Sequence, residues 1–173
     1  MRRQEFPPLR DSDLIYMDSA CMSLRPEKVI EAVESYYRDY PACPGRSHHS
    51  MSEKASENLA EARRKIADLI GSPEDLLVLN SGTTEGINTV ASGFDADKVI
   101  LSDREHNSNL VPWQTNGFEI EFLETENGLD LEKLDSMLSG GEIVSLVHVS
   151  NLDGMRLDVR EAARIARENG AYT

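Results

Sequence analysis

From residue 75 onward the chain alternates short apolar runs with segments of helical period, and this alternation constrains the fold more than any other feature. Leu76-Leu77-Val78-Leu79 and Val99-Ile100-Leu101 are wholly apolar, and Ile143-Val144-Ser145-Leu146-Val147-His148-Val149 is the longest such run. Phe118-Glu119-Ile120-Glu121-Phe122 alternates with period two, the mark of a strand with one wetter face. Between these lie a helix over Thr84 to Ala91, with Ile87, Val90 and Ala91 inward, and a short one over Asn107 to Gln114. A third carries Leu131, Leu134 and Leu138 and ends at Gly140-Gly141. A capping box, Asp158-Val159-Arg160-Glu161, opens a fourth that Gly170 closes. Asn127-Gly128 marks a turn. Strands that are apolar on both faces need cover on both. The pattern therefore predicts an α/β fold, a three-layer αβα sandwich around a mainly parallel sheet.

Upstream, the first 25 residues read as an irregular segment. A helix starts at Pro26, which suits a first helical position. It carries Val29, Val33, Tyr36 and Tyr40 on one stripe and stops at Pro41 and Pro44. A second runs from about Ser52 to Ile70, with Ala55, Leu59, Ala62, Ile66 and Leu69 on one face and Gly71 as its stop. Both read as amphipathic helices facing a core. The chain's 173 residues suit one domain. Its 31 acidic against 18 basic residues give a formal charge of −13, which repels phosphate backbones and anionic lipid. Neither nucleic acid nor a membrane is therefore expected as a partner. No apolar run matches a membrane helix and the N-terminus has no apolar signal core, so the expectation is a protein of the reducing cytoplasm. Two cysteines, Cys21 and Cys43, make no disulfide framework and read as small buried or incidental thiols.

Parallel sheets bind ligands beyond the carboxyl ends of their strands. Three polar clusters fall there. Asn80-Ser81-Gly82-Thr83-Thr84-Glu85-Gly86 opens a helix whose free N–H groups and dipole suit an anion such as a phosphate, or else needs only Thr83 or Thr84 as a cap. Ser102-Asp103-Arg104-Glu105-His106-Asn107-Ser108-Asn109 brings a histidine past the next strand, able to stack on or exchange protons with a ligand. His148-Val149-Ser150-Asn151 follows the long strand. A fourth cluster, Arg46-Ser47-His48-His49, lies between the two early helices; adjacent histidines point apart, so no metal site is expected. Together the strand-end clusters describe a phosphorylated cofactor with a flat polar ring.

Phe6-Pro7-Pro8-Leu9, Tyr16-Met17-Asp18-Ser19-Ala20, Ser81-Gly82-Thr83-Thr84-Glu85-Gly86-Ile87-Asn88, Glu105-His106-Asn107-Ser108-Asn109-Leu110-Val111-Pro112-Trp113-Gln114 and His148-Val149-Ser150-Asn151 occur in this order. Together they closely resemble the N-terminal half of class V aminotransferases, and within them the cysteine desulfurase and selenocysteine lyase branch of pyridoxal-phosphate enzymes. The resemblance covers nearly all of the chain. It implies the large domain of a type I pyridoxal-phosphate enzyme, present in part, as residues 26–173 behind an N-terminal segment, 1–25. It implies that Thr84, with Thr83, binds the cofactor phosphate, that His106 stacks on the pyridine ring as the catalytic histidine, and that Asn151 bonds the ring hydroxyl. Ala20, in the segment with Asp18, would line the substrate pocket. Arg46 and His49 match a loop that in such homodimers reaches the neighbouring subunit's site.

The chain departs from that pattern in places. Gly45 and Ser47 stand where the loop usually has His and Gly, Asn107 replaces a second His, and Cys21 and Met22 replace small residues. Asp153 and Met155 stand where desulfurases more often have an apolar residue and Thr. The Asp for the pyridinium nitrogen, the Schiff-base Lys and the nucleophilic Cys loop lie past Thr173 in the family. The expectation is the N-terminal part of a longer enzyme, or a split or truncated form, inactive by itself. The whole would take sulfur from cysteine, giving alanine and a persulfide for a sulfur-acceptor protein. Alternatives are another class V activity (lyase, epimerase or transaminase) or a non-catalytic remnant that binds a partner.

Overall fold

The computed structural model describes residues 2–173. They divide into two compact units, one ending at Val78 and the other spanning Leu79–Thr173.

The first unit begins with 3-10 turns at Arg3–Glu5 and Pro7–Leu9. Two helices follow, α1 over Glu27–Asp39 and α2 over Ser50–Ile70. Pro26 sits at the N-cap of α1 in extended backbone, as its fixed φ favours. Gly71 ends α2 at φ +69°, where Ser72 N–H donates to Ala67 and Gly71 N–H to Asp68. A left-handed residue at that position is what this double closure requires. The apolar stripes, however, are not core. Every residue of α1 is at least partly exposed, and α2 buries only Ser52, Ala55 and Ala67. Val33 and Leu69 are 54% and 84% exposed. Periodicity states which face seeks cover; it does not supply the cover.

The second unit contains α3 (Thr83–Gly93), β1 (Lys98–Ser102), α4 (Val111–Thr115), β2 (Glu119–Leu123), α5 (Leu131–Met137), β3 (Ile143–Ser145) and α6 (Val159–Glu168). The strands pair in parallel in the order β2-β1-β3. Period-two alternation sorts their side chains into two cores. Val99, Leu101 and Ile143 join Ala91 of α3 and Trp113 of α4 on one face. Ile100, Leu123 and Val144 join Leu134 of α5 and Ala162, Ile165 and Ala166 of α6 on the other. Register keeps this consistent: Val99 pairs with Ile143 and Ile100 with Val144, so partners share a face. This is the expected three-layer α/β/α arrangement. Tyr172 pairs with Ile143 on the open side of β3, exchanging backbone bonds with Glu142 and Val144 at 2.8 Å.

Two strand expectations are corrected. Leu76–Leu79 is not a strand: Glu74–Leu76 is a 3-10 turn, and Leu76 and Val78 are mostly exposed. A strand exists only with a ladder partner. Here the Leu77 carbonyl instead accepts from Arg63 Nη2 at 2.6 Å. The long run from Ile143 leaves the ladder after Ser145, opposite Leu101. Its continuation folds into a loop in which Val149 bridges Arg156, and Val147 N–H turns to a side chain. The capping box of α6 is half made. Asp158 Oδ1 accepts from Glu161 N–H at 3.3 Å, while the Glu161 carboxylate pairs with Arg164. Both cysteines are free and exposed, which leaves the incidental of the two readings. Among the described residues no helix is long and apolar enough to cross a membrane.

The strand order decides where a ligand can enter. From β1 the chain passes to β2 on one side; from β3 it passes to Tyr172 on the other. The connections diverge between β1 and β3, which opens a crevice at their carboxyl ends. The loops on its two sides are residues 103–110 and 146–158.

Candidate active site

The first of these loops carries His106. His106 caps the 3-10 turn Asn107–Asn109, its Nδ1 accepting from Ser108 N–H at 3.1 Å and lying 2.8 Å from Ser108 Oγ. A ring nitrogen that accepts a backbone proton carries none of its own, so the neutral ring holds its hydrogen on Nε2. The ring is exposed and turned by its own backbone rather than by packing.

The neighbouring Glu105 fixes that backbone. Its Oε1 accepts from Ser102 Oγ at 2.5 Å and from Val147 N–H at 2.7 Å; its Oε2 accepts from Asn109 Nδ2 at 2.8 Å. Asn109 in turn accepts from Ser145 Oγ at 2.7 Å and from the indole of Trp113 at 3.1 Å. Trp113 is buried, edge-on to Phe118 at 5.1 Å. In the sequence Glu105, Asn109 and Trp113 stand out only as parts of the string from Glu105 to Gln114. Their spacing of four, starting just past a strand, was the signal that they share one inward face.

The second loop carries Asn151. It lies in a tight turn where Gly154 N–H donates to Ser150 O at 3.0 Å and Gly154 takes φ +75°. Ser150 is buried, with its Oγ accepting from Leu152 N–H at 3.2 Å. Asn151 is exposed, and among the described residues its amide makes no hydrogen bond.

The third feature is the start of α3. Gly82 stands before it at φ +149°, a conformation open to glycine, and provides no side-chain cap. Among the described residues the N–H groups of Thr83, Thr84 and Glu85 and the hydroxyls of Thr83 and Thr84 have no partner. The alternative in which Thr83 or Thr84 serves only as the helix cap is therefore not met, and the donors are unspent. Ser81 is engaged: its N–H donates to Glu85 Oε2 at 2.8 Å and its hydroxyl bonds the same oxygen. These bonds hold the Glu85 carboxyl below its ordinary range. With Leu76–Leu79 not a strand, this cluster is set by its own helix rather than by a strand end.

Ala20, Arg46 and His49 belong to the first unit. Ala20 is exposed in a turn closed by Cys21 and Met22 N–H on Asp18 O. Arg46 is exposed in the turn after Gly45, whose N–H donates to Ser56 Oγ at 2.9 Å. His49 caps α2, accepting from Ser52 N–H through Nδ1 at 3.3 Å. Among the described residues no three metal-ligating side chains gather. Of the chain's lysines, Lys65 pairs with Glu61 at 2.6 Å and Lys98 with Glu121 at 2.9 Å, while Lys54 lies 4.3 Å from the Tyr40 ring centroid.

The model of the family described as "Aminotransferase class-V" matches residues 15–173. The chain belongs to this family. Among curated relatives, a "Probable cysteine desulfurase" of Pyrococcus abyssi is 35% identical over 92% of this chain and 42% of its own length. Another of that name from Methanothermobacter thermautotrophicus is 33% identical over 98% and 44%. The apo structure of a cysteine desulfurase from Thermococcus onnurineus superposes with a TM-score of 0.87 at 34% identity, over 98% of this chain and 44% of that one. The chain thus spans less than half the length of the relatives it matches.

Class V aminotransferases use pyridoxal 5′-phosphate. The residues present fit such a group at three points. The unspent donors of α3 suit a phosphate, with the positive end of the helix dipole behind them. The exposed His106 ring offers a flat face, and the Asn151 amide a polar contact with no competing partner. The Glu85 carboxylate spends its charge on Ser81, whose donors are therefore closed to the phosphate.

Proposed function

We propose that the protein carrying this chain is a cysteine desulfurase, taking sulfur from cysteine with release of alanine and passing it to an acceptor protein in the cytoplasm. This chain contributes the phosphate, ring-face and ring-hydroxyl contacts of its cofactor. What supports the reading is the strand order β2-β1-β3, which sets the loop carrying His106 and the loop carrying Asn151 at the carboxyl ends of the adjacent strands β1 and β3. Its desulfurase-named relatives support the substrate.

In this reading Thr84 and Thr83 donate to the cofactor phosphate from hydroxyl and backbone. The cofactor, when bound, supplies an electron sink for bonds broken at the substrate's α-carbon. His106 covers the ring face, oriented by Ser108 and held from below by Glu105 through Val147 and Asn109. Asn151 holds the ring hydroxyl. Ala20 lines the substrate pocket. Arg46 and His49 reach the neighbouring subunit's site in a homodimer. Residues 1–25 form an N-terminal segment ahead of the large domain begun at residue 26.

The test is alanine release from cysteine by the full-length protein, with His106→Ala lowering turnover more than stability. Release of no alanine from cysteine, with turnover of another amino acid, would replace the substrate. In the 173-residue chain, borohydride treatment with cofactor is expected to leave no lysine pyridoxylated in stoichiometric amount. Lys54, Lys65 and Lys98 are committed elsewhere, and Lys28 and Lys133 lie exposed on helices.

A further inference from the structure

The carboxyl ends of all three strands are joined by one polar chain that the catalytic reading does not use. Just past β1, Asp103 N–H donates to Leu123 O of β2 at 3.1 Å, and the Asp103 carboxylate accepts from Thr125 Oγ1, which is fully buried. Thr125 Oγ1 also accepts from Arg104 Nε at 2.8 Å. The other end of the same guanidinium, Nη1, reaches across the crevice to Asp153 in the loop after β3. Asp153 is held in turn, its second oxygen accepting from Met155 N–H at 3.0 Å. That bond, and after it the Arg104 charge, keep the Asp153 carboxyl below its ordinary range.

Arg104 lies two residues before His106, and Asp153 two residues after Asn151. The ion pair thus spans the two loops that face each other across the crevice. A guanidinium suits this task because its planar fork can be pinned at one nitrogen and aimed with another; a lysine cannot. Neither Arg104 nor Asp153 faces the crevice as a ligand contact in the proposed reading.

We propose that Arg104 and Asp153 are a positioning pair, a brace that holds the His106 loop and the Asn151 loop at a fixed spacing across the crevice. Its effect on a bound ligand rests on the pyridoxal-phosphate reading above; the brace itself does not. The guanidinium side chain is 23% exposed and the carboxylate 44%, so the pair is partly screened and its effect is modest.

The experiment compares the full chain with its Asp153→Asn, Asp153→Glu and Arg104→Met variants by hydrogen exchange and by titration with pyridoxal phosphate and with inorganic phosphate. Asp153→Asn keeps shape and removes charge, and its unfolding midpoint should match the parent's. It should speed amide exchange both in its own loop and in residues 104–109, where it makes no covalent difference. Arg104→Met should do the same to residues 147–156, and Asp153→Glu should restore protection. Pyridoxal phosphate should bind Asp153→Asn about two- to fivefold more weakly, while inorganic phosphate binds equally well. Unchanged exchange at 104–109 in Asp153→Asn overturns the brace whatever the ligand does. Loops that loosen together with unchanged pyridoxal-phosphate affinity overturn its positioning role. A parent chain that binds no pyridoxal phosphate overturns the functional reading instead, and the brace then stands or falls on exchange alone.

Discussion

The two units of the chain treat their apolar residues in opposite ways. In Leu79–Thr173 the strand residues Val99, Ile100 and Leu101 are fully buried, each matched by a helix on its own face. In the unit ending at Val78, Val29, Ile30 and Val33 of α1 and Leu59, Ile66 and Leu69 of α2 are exposed. Both sets obey a clear period. A central strand brings its own cover, because a parallel ladder forces helical crossovers onto both faces. An amphipathic helix carries no such guarantee. Buried area in this chain therefore follows from topology more than from hydrophobicity.

The comparison can be broken first at its strongest point. Leu101→Ala, on the central strand, should cost about 2–5 kcal/mol in urea unfolding, through lost burial and the cavity left behind. A loss below 1 kcal/mol would mean that the second unit's core does not carry its stability. Glu105→Ala strands Val147 N–H, Ser102 and Asn109 at once and should cost about 3 kcal/mol. The emission of Trp113, the one tryptophan, should report it, because its indole donates to Asn109.

A third change concerns the opposite, amino-terminal end of β3. Burial raises the Glu142 carboxyl, but bonds from Ser139 Oγ and the Ser139 and Gly140 N–H groups outweigh it and lower it from 4.5 to about 2. A depressed carboxylate contributes stability that is present above its unfolded value and lost as pH falls through the folded one. Stability should therefore drop between about pH 4.5 and 2. Glu142→Gln should flatten that limb and cost about 1.5–3 kcal/mol near neutrality. An acid limb unchanged by the substitution would assign it to other carboxylates. The smallest effect belongs to the first unit: Val33→Ala should stay within about 0.5 kcal/mol, as exposed positions do. A larger loss there would show that α1 is covered in solution and would narrow the contrast between the units.

Much of the second unit was legible in the residues. Val99–Leu101 and the helix closed by Gly170 lie where period and capping put them, and the strand read at Phe118–Phe122 is displaced by only one residue, to Glu119–Leu123, because each signal is local. Leu76–Leu79 was misread because a wholly apolar run needs a partner strand, and sequence does not state partners. The run from Ile143 was cut at Ser145 for a related reason. Its last residues are claimed by the Glu105 carboxylate and by a turn around Gly154. The placement of His106 just past β1 and of Asn151 past β3 was readable from element order, while the helix start at Thr83 and Thr84 was readable from its local residues alone, the strand expected before it being absent. What makes the crevice, the order β2-β1-β3 and the groups beneath it, was not. Long-range pairs such as Arg104 with Asp153 are invisible to spacing.

The central claim is that the unspent donors at the start of α3 hold a cofactor phosphate beside the crevice. It is tested most directly by titrating pyridoxal phosphate into the parent chain and into Thr84→Val, with unfolding of both followed in its absence. The account predicts binding by the parent, affinity lower by about tenfold to a hundredfold in the variant, and matching unfolding midpoints, because a charge-assisted bond is lost only in the complex. Equal affinities, or an equal loss of stability with no cofactor present, would contradict it and make Thr84 an ordinary helix-start residue.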